Sequence, residues 1–226
     1  VATTSTPISS RPATVLRFNA TERWLHWTLA AAFLLTLVSG LGLYVAGLER
    51  LLGGRDLLRV VHRFAGGATI LLPLAVYALG DRAAVRRDLH AIDVWSAGDR
   101  AWLRAWLWRR VGARDDLPPQ GRFNAGQKLN SVLTGVALTL LAVTGVLVFP
   151  GIHPPFQLVS NARTVHDAVW ILFLPVLLGH IFLAALYPPT RHGLRGMLDG
   201  RVRRDWLLEH HPLAPEAIET PGAGAL

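Results

Sequence analysis

The chain has 226 residues, 51% of them hydrophobic, with a mean hydropathy of +0.35 and a net charge of +8. That is too apolar for an ordinary soluble domain and points to a membrane class. The absence of cysteine excludes disulfides, zinc–thiolate sites and iron–sulfur ligation by this chain.

Residues 1–16 are rich in Ser, Thr and Pro and are expected to form a flexible arm. That arm lacks the apolar core of a cleavable signal peptide, so the first span is expected to act as the insertion signal. Four apolar stretches follow, each near the roughly 20 residues needed to cross a bilayer. They are residues 24–46, 59–80, 128–149 and 165–187. The second is the weakest, because Arg59, His62 and Arg63 crowd its start. Between the second and third spans lies DRAWLRAWLWRRV, residues 99–111. Trp102, Leu103, Trp106 and Leu107 recur there at i, i+1, i+4 and i+5, with arginines on the other side. The pattern fits an amphipathic helix at the membrane interface or one that docks a partner. Residues 114–121, with Pro118-Pro119, read as a linker. The tail after Pro188 is polar and basic, and residues 213–226 are expected to be disordered.

Four spans put both termini on one side. The arm to Arg23, the loop from Asp81 to Lys128 and the tail after Pro188 hold 18 of the 23 Lys and Arg residues. The positive-inside rule therefore places both termini and the middle loop in the cytoplasm. The positive charge is read as a topology signal, and nucleic acid is not expected as a partner. No Walker loop, HExxH, GxSxG or dinucleotide fingerprint is present.

Nine histidines occur. His90, His153, His192, His210 and His211 fall in loops or the tail, where solvated or structural roles are the default. The other four lie in the spans. The first helix starts inside and puts His26 near the cytoplasmic face. The second and fourth start outside, so His62 and His166 share the opposite depth. His180 returns to the depth of His26. His166 and His180 are fourteen residues apart, a spacing that returns to within about 40° of the same direction after a rise of roughly 21 Å. Two ligands on one helix, each matched by a histidine from another helix, suit two stacked bis-histidine b haems. Gly40, Gly42, Gly66, Gly67, Gly135 and Gly145 would make room between helices. Arg23 and Arg63 stand near ligand positions and are candidates to pair with haem propionates. Pro175, between the two histidines of the last span, should kink that helix. A haem-free membrane transporter or scaffold, or a proton path, remains open on these residues alone, although the spans offer only Asp167 as a carboxylate, at a membrane edge.

Longer motifs extend the reading. ERWLHW with His26, VVHRFAGG with His62, RFNAGQKLN at 122–130, LAVTGVLVF in the third span, the His166/His180 pair and RGMLDGRVRRDWLLEHHP at 195–212 are the relevant stretches. Over residues 17–212 the chain resembles the cytochrome b (gamma) subunit of respiratory formate dehydrogenase. That subunit belongs to a wider group of four-helix di-haem cytochromes b that also anchor some hydrogenases and thiosulfate reductases. The resemblance implies an all-α integral membrane bundle that anchors a complex and passes electrons to quinone. It implies two haem b groups, with His62 and His166 as ligands on the periplasmic side and His26 and His180 on the cytoplasmic side. It implies a cytoplasmic quinone site of Asn124, Gly126, Gln127 and His180. The implied partners are an iron–sulfur subunit and a molybdenum or tungsten catalytic subunit, in the bacterial inner membrane. A hydrogenase or thiosulfate reductase-type complex is the alternative host. Asn124 has a second reading as a helix cap. The family can carry another histidine between the two ligands of the last helix, and here there is none.

Overall fold

A computed structural model describes residues 13–110, 116–149, 151–152 and 154–218. Four of its helices are long and apolar enough to cross a membrane. In chain order the elements are β1 (Thr14–Leu16), α1 (Ala20–Tyr44), α2 (Leu48–Leu51), α3 (Arg55–Leu79), α4 (Arg82–Asp93), α5 (Ala97–Arg110), α6 (Ala125–Leu147), α7 (Phe156–Ile181), α8 (Leu194–Leu198), β2 (Arg201–Arg203), α9 (Arg204–His210) and α10 (Pro215–Ile218). The long helices are α1, α3, α6 and α7.

Local chemistry sets the starts of these helices. Asn19 caps α1 by accepting the Glu22 amide hydrogen at 3.0 Å, while Glu22 Oε2 accepts from the Asn19 amide at 2.6 Å. This reciprocal box satisfies two otherwise orphaned donors. Asp81 caps α4 through the amides of Ala83 and Ala84. Gly47, Gly53 and Gly54 all have φ near +90°, and they let α1 reverse into α3 within about ten residues. The fourth helix begins at Phe156, nine residues before the apolar stretch that marks it in the sequence. Ser160, Asn161, Arg163 and Thr164 end the hydropathic signal there, yet the backbone stays helical beyond the apolar layer. α7 runs unbroken through Pro175, and its winding widens into a π-helical turn only at Phe182–Leu186.

α1 packs along α3, and α6 along α7. A small apolar layer of Phe33, Ala137 and Phe173, with Leu138, Leu141, Val169, Val176 and Leu177 around it, joins the two hairpins. Most of the large apolar side chains of these helices are exposed, among them Leu71, Leu72, Leu74, Leu79 and Leu172. Apolar surface on this scale belongs against lipid.

One end of the bundle carries a polar cap that composition hides. Residues 1–16 were expected to be a flexible arm, but Thr14–Leu16 form a strand antiparallel to Arg201–Arg203, with Val15 opposite Val202. The 213–226 segment is expected to be disordered; residues 219–226 lie outside the described residues, but in 213–218 Ala214 and Ala217 are buried and α10 starts at Pro215. The cause is one small core, in which Val202, Leu207, Ala214 and Ala217 pack with Val15 and Trp206. Arg122 pins this cap to the bundle. Its guanidinium meets Glu22 of α1 at 2.8 Å, and also Asp88 of α4 and Glu216 of α10. Arg17 donates to the Arg122 carbonyl from beside it. Both ends of the described chain and the α4–α6 connection therefore meet on one face of the bundle.

Candidate haem and quinone sites

Four histidines of the spans come together in two pairs. The His62 and His166 rings lie 6.2 Å apart between centroids, at 69° to each other. The His26 and His180 rings lie 6.3 Å apart, at 60°. A direct imidazole–imidazole hydrogen bond, with nitrogens about 3 Å apart, would bring the centroids to about 5 Å. A metal–imidazole nitrogen bond is about 2.0–2.1 Å and the nitrogen lies about 1.1 Å from the ring centroid, so two rings on opposite sides of one ion stand about 6.2–6.4 Å apart. The observed separations fit the second case at both ends. Among the described residues no three His, Asp or Glu side chains converge as a metal site, so these donors come only in twos.

A seven-residue repeat builds this arrangement. On α7, His166, Phe173 and His180 follow at i, i+7 and i+14, and Trp170 joins the same face. On α1, His26, Phe33 and Gly40 follow at the same spacing. His26 faces His180, and Phe33 meets Phe173 edge-on at 5.7 Å. At Gly40 the ring comes from α3 instead. A Cβ at Gly40 would stand 2.9 Å from His62 Cε1 and 3.2 Å from its Nδ1. Glycine there is what lets His62 reach His166. Tyr44 packs edge-on to Trp170, at 5.1 Å.

The other glycines divide. Gly145 lies under His166, with its Cβ position 3.7 Å from Cε1. Gly66, Gly67 and Gly135 have nothing within 4 Å of a built Cβ. Gly42 departs from the expectation: it touches Leu52 and Leu58, so it serves the α1–α2–α3 contact. Arg23 and Arg63 have protein partners of their own. Arg23 Nη1 donates to the Leu198 carbonyl at 2.8 Å, and the Arg63 guanidinium lies 5.9 Å from the Phe149 ring centroid.

The outer partners of the His62/His166 pair have no local signal in the sequence. His62 Nδ1 lies 3.0 Å from the Thr36 carbonyl and 3.3 Å from Ser39 Oγ. His166 Nδ1 lies 2.8 Å from Thr144 Oγ1. A hydroxyl-bearing residue one helix away from a histidine is a signal visible only once the helices are paired.

At the cap end, Asn124 and Gln127 form a capping box on α6. Asn124 Oδ1 accepts from the Gln127 amide, and Gln127 Oε1 accepts from the Asn124 amide, both at 2.9 Å. Both amide oxygens are thus used, which leaves Asn124 Nδ2 and Gln127 Nε2 as donors. Trp102 of α5 covers this helix start, because a Cβ on Gly126 would lie 3.4 Å from its ring. Trp106 stacks on Trp102 at 6.3 Å. The apolar stripe of α5 is therefore spent partly on the chain's own α6. Lys128, the only lysine, donates to Asp99 at 3.0 Å and to the Val94 carbonyl at 2.9 Å, and it is nearly buried. Burial acts to raise the Asp99 carboxyl, but hydrogen bonds from Ser96 and Lys128 outweigh it and hold the carboxyl below its usual range.

The tail histidines are structural. His192, His210 and His211 gather around Trp206, which stacks on His210 at 4.6 Å. His211 is 2% exposed, and its Nδ1–H donates to the Gly121 carbonyl at 2.8 Å. Burial, helped by nearby Arg17, pushes it down to about 3. Arg17 is itself pushed down to about 9 by burial and by Arg122. His153 lies outside the described residues.

The fold and the paired imidazoles define a class: a multi-pass membrane protein with two facing histidine pairs inside its bundle. Within that class the chain belongs to the prokaryotic cytochrome b561 family, whose model matches residues 17–200. Haem b and electron transport follow from that membership. Among curated proteins, it is 26% identical over 216 residues to the cytochrome b556(Fdn) subunit of the nitrate-inducible formate dehydrogenase of Escherichia coli (strain K12), covering 93% of this chain and 94% of that protein. It is 27% identical over 209 residues to the cytochrome b556(fdo) subunit of formate dehydrogenase from the same strain, covering 89% and 92%. A formate dehydrogenase cytochrome b556 subunit of Haemophilus influenzae is 25% identical over 209 residues, covering 90% and 83%.

Proposed function

We propose that this chain is the di-haem cytochrome b subunit of a formate dehydrogenase-type complex, carrying electrons across the bacterial inner membrane to quinone. His62 and His166 would hold one haem b and His26 and His180 the other. When bound, the two groups would supply one-electron carriers at opposite depths of the bilayer. The observation that carries this reading is the twofold occurrence of imidazole centroids 6.2–6.3 Å apart, at both ends of one face of α7. The relatives named above are formate dehydrogenase subunits by their names, which favours that host over a hydrogenase or thiosulfate reductase.

The residues of the chain divide the remaining work. The basic cap lies on the cytoplasmic side by its charge. The opposite face meets the iron–sulfur subunit and, through it, the molybdenum or tungsten catalytic subunit. At the start of α6, Asn124 Nδ2 and Gln127 Nε2 are offered to a quinone carbonyl oxygen. Gly126 keeps that approach open beside Trp102, and His180 stands at the same end of the bundle. Protons for the reduced quinone then come from the cytoplasmic side, while formate releases its proton on the other.

The test is the pyridine haemochrome yield per chain together with a reduced-minus-oxidised spectrum of the purified complex. Two b haems per chain are expected, and one or none would overturn the pairing. Replacing His180 should remove one haem and quinone reduction while formate oxidation with an artificial dye persists.

A further inference from the structure

The two histidine pairs differ in what holds the far nitrogen of each ring. A backbone carbonyl can only accept a hydrogen bond, so the 3.0 Å contact to Thr36 O requires that His62 Nδ1 carry the proton. Thr144 Oγ1 has one hydrogen, which it donates to the backbone, with Oγ1 2.6 Å from the Leu140 carbonyl oxygen and 3.2 Å from that of Leu141. With that hydrogen spent, Oγ1 accepts from His166 Nδ1 at 2.8 Å, and the Leu141 carbonyl is a further acceptor beside the ring. Both rings therefore hold Nδ1–H outward and leave Nε2 bare. Ser39 Oγ, which donates to the Leu35 carbonyl at 2.7 Å, adds a second acceptor 3.3 Å from His62 Nδ1. His26 and His180 make no such bond to a protein acceptor among the described residues.

We propose that Thr144 and the Thr36 carbonyl, with Ser39 beside it, are positioning groups that fix the tautomer of His166 and His62 and lower the reduction potential at that site relative to the His26/His180 site. This rests on the reading of His62 and His166 as haem ligands. An imidazole that donates from Nδ1 becomes a more basic ligand through Nε2. A more basic ligand favours the oxidised metal, and hydrogen bonding beyond the ligands is one of the protein's controls on potential. The gradient so produced runs downhill from the His62/His166 side toward the cap and the start of α6. Gly40 reinforces the geometry, since it admits the His62 ring at the angle that meets Thr36.

The experiment is spectroelectrochemistry of the b-haem bands in the purified complex. Wild type should show two components. Thr144→Val removes the hydroxyl acceptor at nearly constant shape and leaves only the Leu141 carbonyl, so it should move the lower component to higher potential while the upper stays in place. Thr144→Ser should restore the wild-type value, which a packing role would not predict. Ser39→Ala should move the same component in the same direction by less, and it provides the measurement should Thr144→Val lose a haem. Both components unmoved in Thr144→Val and Ser39→Ala, with haem content intact, would overturn the proposal. A shift confined to the upper component would overturn it equally. Failure of the ligand reading gives a different result: His166→Ala would then retain both components.

Discussion

The sharpest perturbation available is one methyl group at Gly40. In Gly40→Ala the new carbon would stand 2.9 Å from His62 Cε1 and 3.2 Å from Nδ1. Ordinary carbon contacts optimise near 3.5–4.0 Å, so the ring must retreat by roughly 0.6–1 Å. α1 and α3 pack along their lengths and cannot part locally, so the ring yields first. Overpacking of this kind costs about 1–3 kcal/mol. Losing the Nδ1–H bond to Thr36 adds about 1 kcal/mol. Together these are about 2–4 kcal/mol, which at about 1.4 kcal/mol per tenfold weakens the His62 side roughly 30- to 700-fold. The assay is haem content per chain after incubation with an excess of apomyoglobin as haem acceptor. The yield should fall from two toward one, and adding a His180 substitution should take it toward zero. Two haems retained at wild-type occupancy would refute the argument, because the ring would then not depend on the missing Cβ.

Other consequences are equally direct. Asn124→Asp keeps the oxygen that caps α6 and removes the Nδ2 donor, so stability and haem content should hold while quinone reduction falls at least tenfold. Unchanged quinone kinetics would leave Asn124 with capping alone. Lys128→Met leaves the buried Asp99 carboxylate with its Ser96 hydrogen bonds alone, so the loss should stay below the ~3–5 kcal/mol of a fully unpaired buried charge, read as a lower Tm in detergent. A Tm within experimental error of wild type would refute this. His211 has a folded pKa of about 3 against 6.5 unfolded, so the unfolded chain binds the extra proton between those values. Its contribution is full above pH 6.5 and falls as the pH drops, at up to about 1.4 kcal/mol per pH unit. His211→Gln should therefore flatten the loss of cap stability between about pH 6.5 and 5, followed by proteolysis near residues 13–18. A pH profile parallel to wild type would sink that reading.

What could be read in the sequence, and what could not, follows from how far each interaction reaches along the chain. The four spans come from local hydropathy, and the histidine pairing from topology plus a fourteen-residue spacing on one helix. The intermediate step, Phe173 at seven residues between His166 and His180, was equally visible in the sequence, as was the matching His26, Phe33 and Gly40. Its meaning needed α1 and α7 to be set face to face. Thr144 and Ser39 gave no local sign, because a hydroxyl that bonds its own i−4 carbonyl looks like any other threonine or serine in a membrane helix. The cap was hidden for a different reason. Arg201-Val202-Arg203 exposes two charges and buries one valine, so its composition reads as polar tail. Its partner Val15 sits in a Ser/Thr/Pro-rich arm, 187 residues away in sequence from Val202.

The cap and the haem-side geometry are linked by more than proximity. Glu22, which closes the capping box at the start of α1, is also a carboxylate partner of Arg122. Arg122 directly precedes the Phe123-Asn124 step into α6, and Arg17 holds its carbonyl. Trp27, one residue after His26, donates from Nε1 to the Met197 carbonyl at 2.7 Å. The same cap thus fixes the starts of α1 and α6 and anchors the turn that bears His26. A loose cap would free three things together: the direction of His26, the Asn124–Gln127 box, and the Trp102 cover over Gly126. That coupling explains why so much ionic and hydrogen-bonded structure is concentrated at one end of a bundle whose long helices otherwise meet lipid. The polar residues of the cap set the His26/His180 end of the bundle, while the His62/His166 end is set by Gly40, Thr36, Ser39 and Thr144 within the helices themselves.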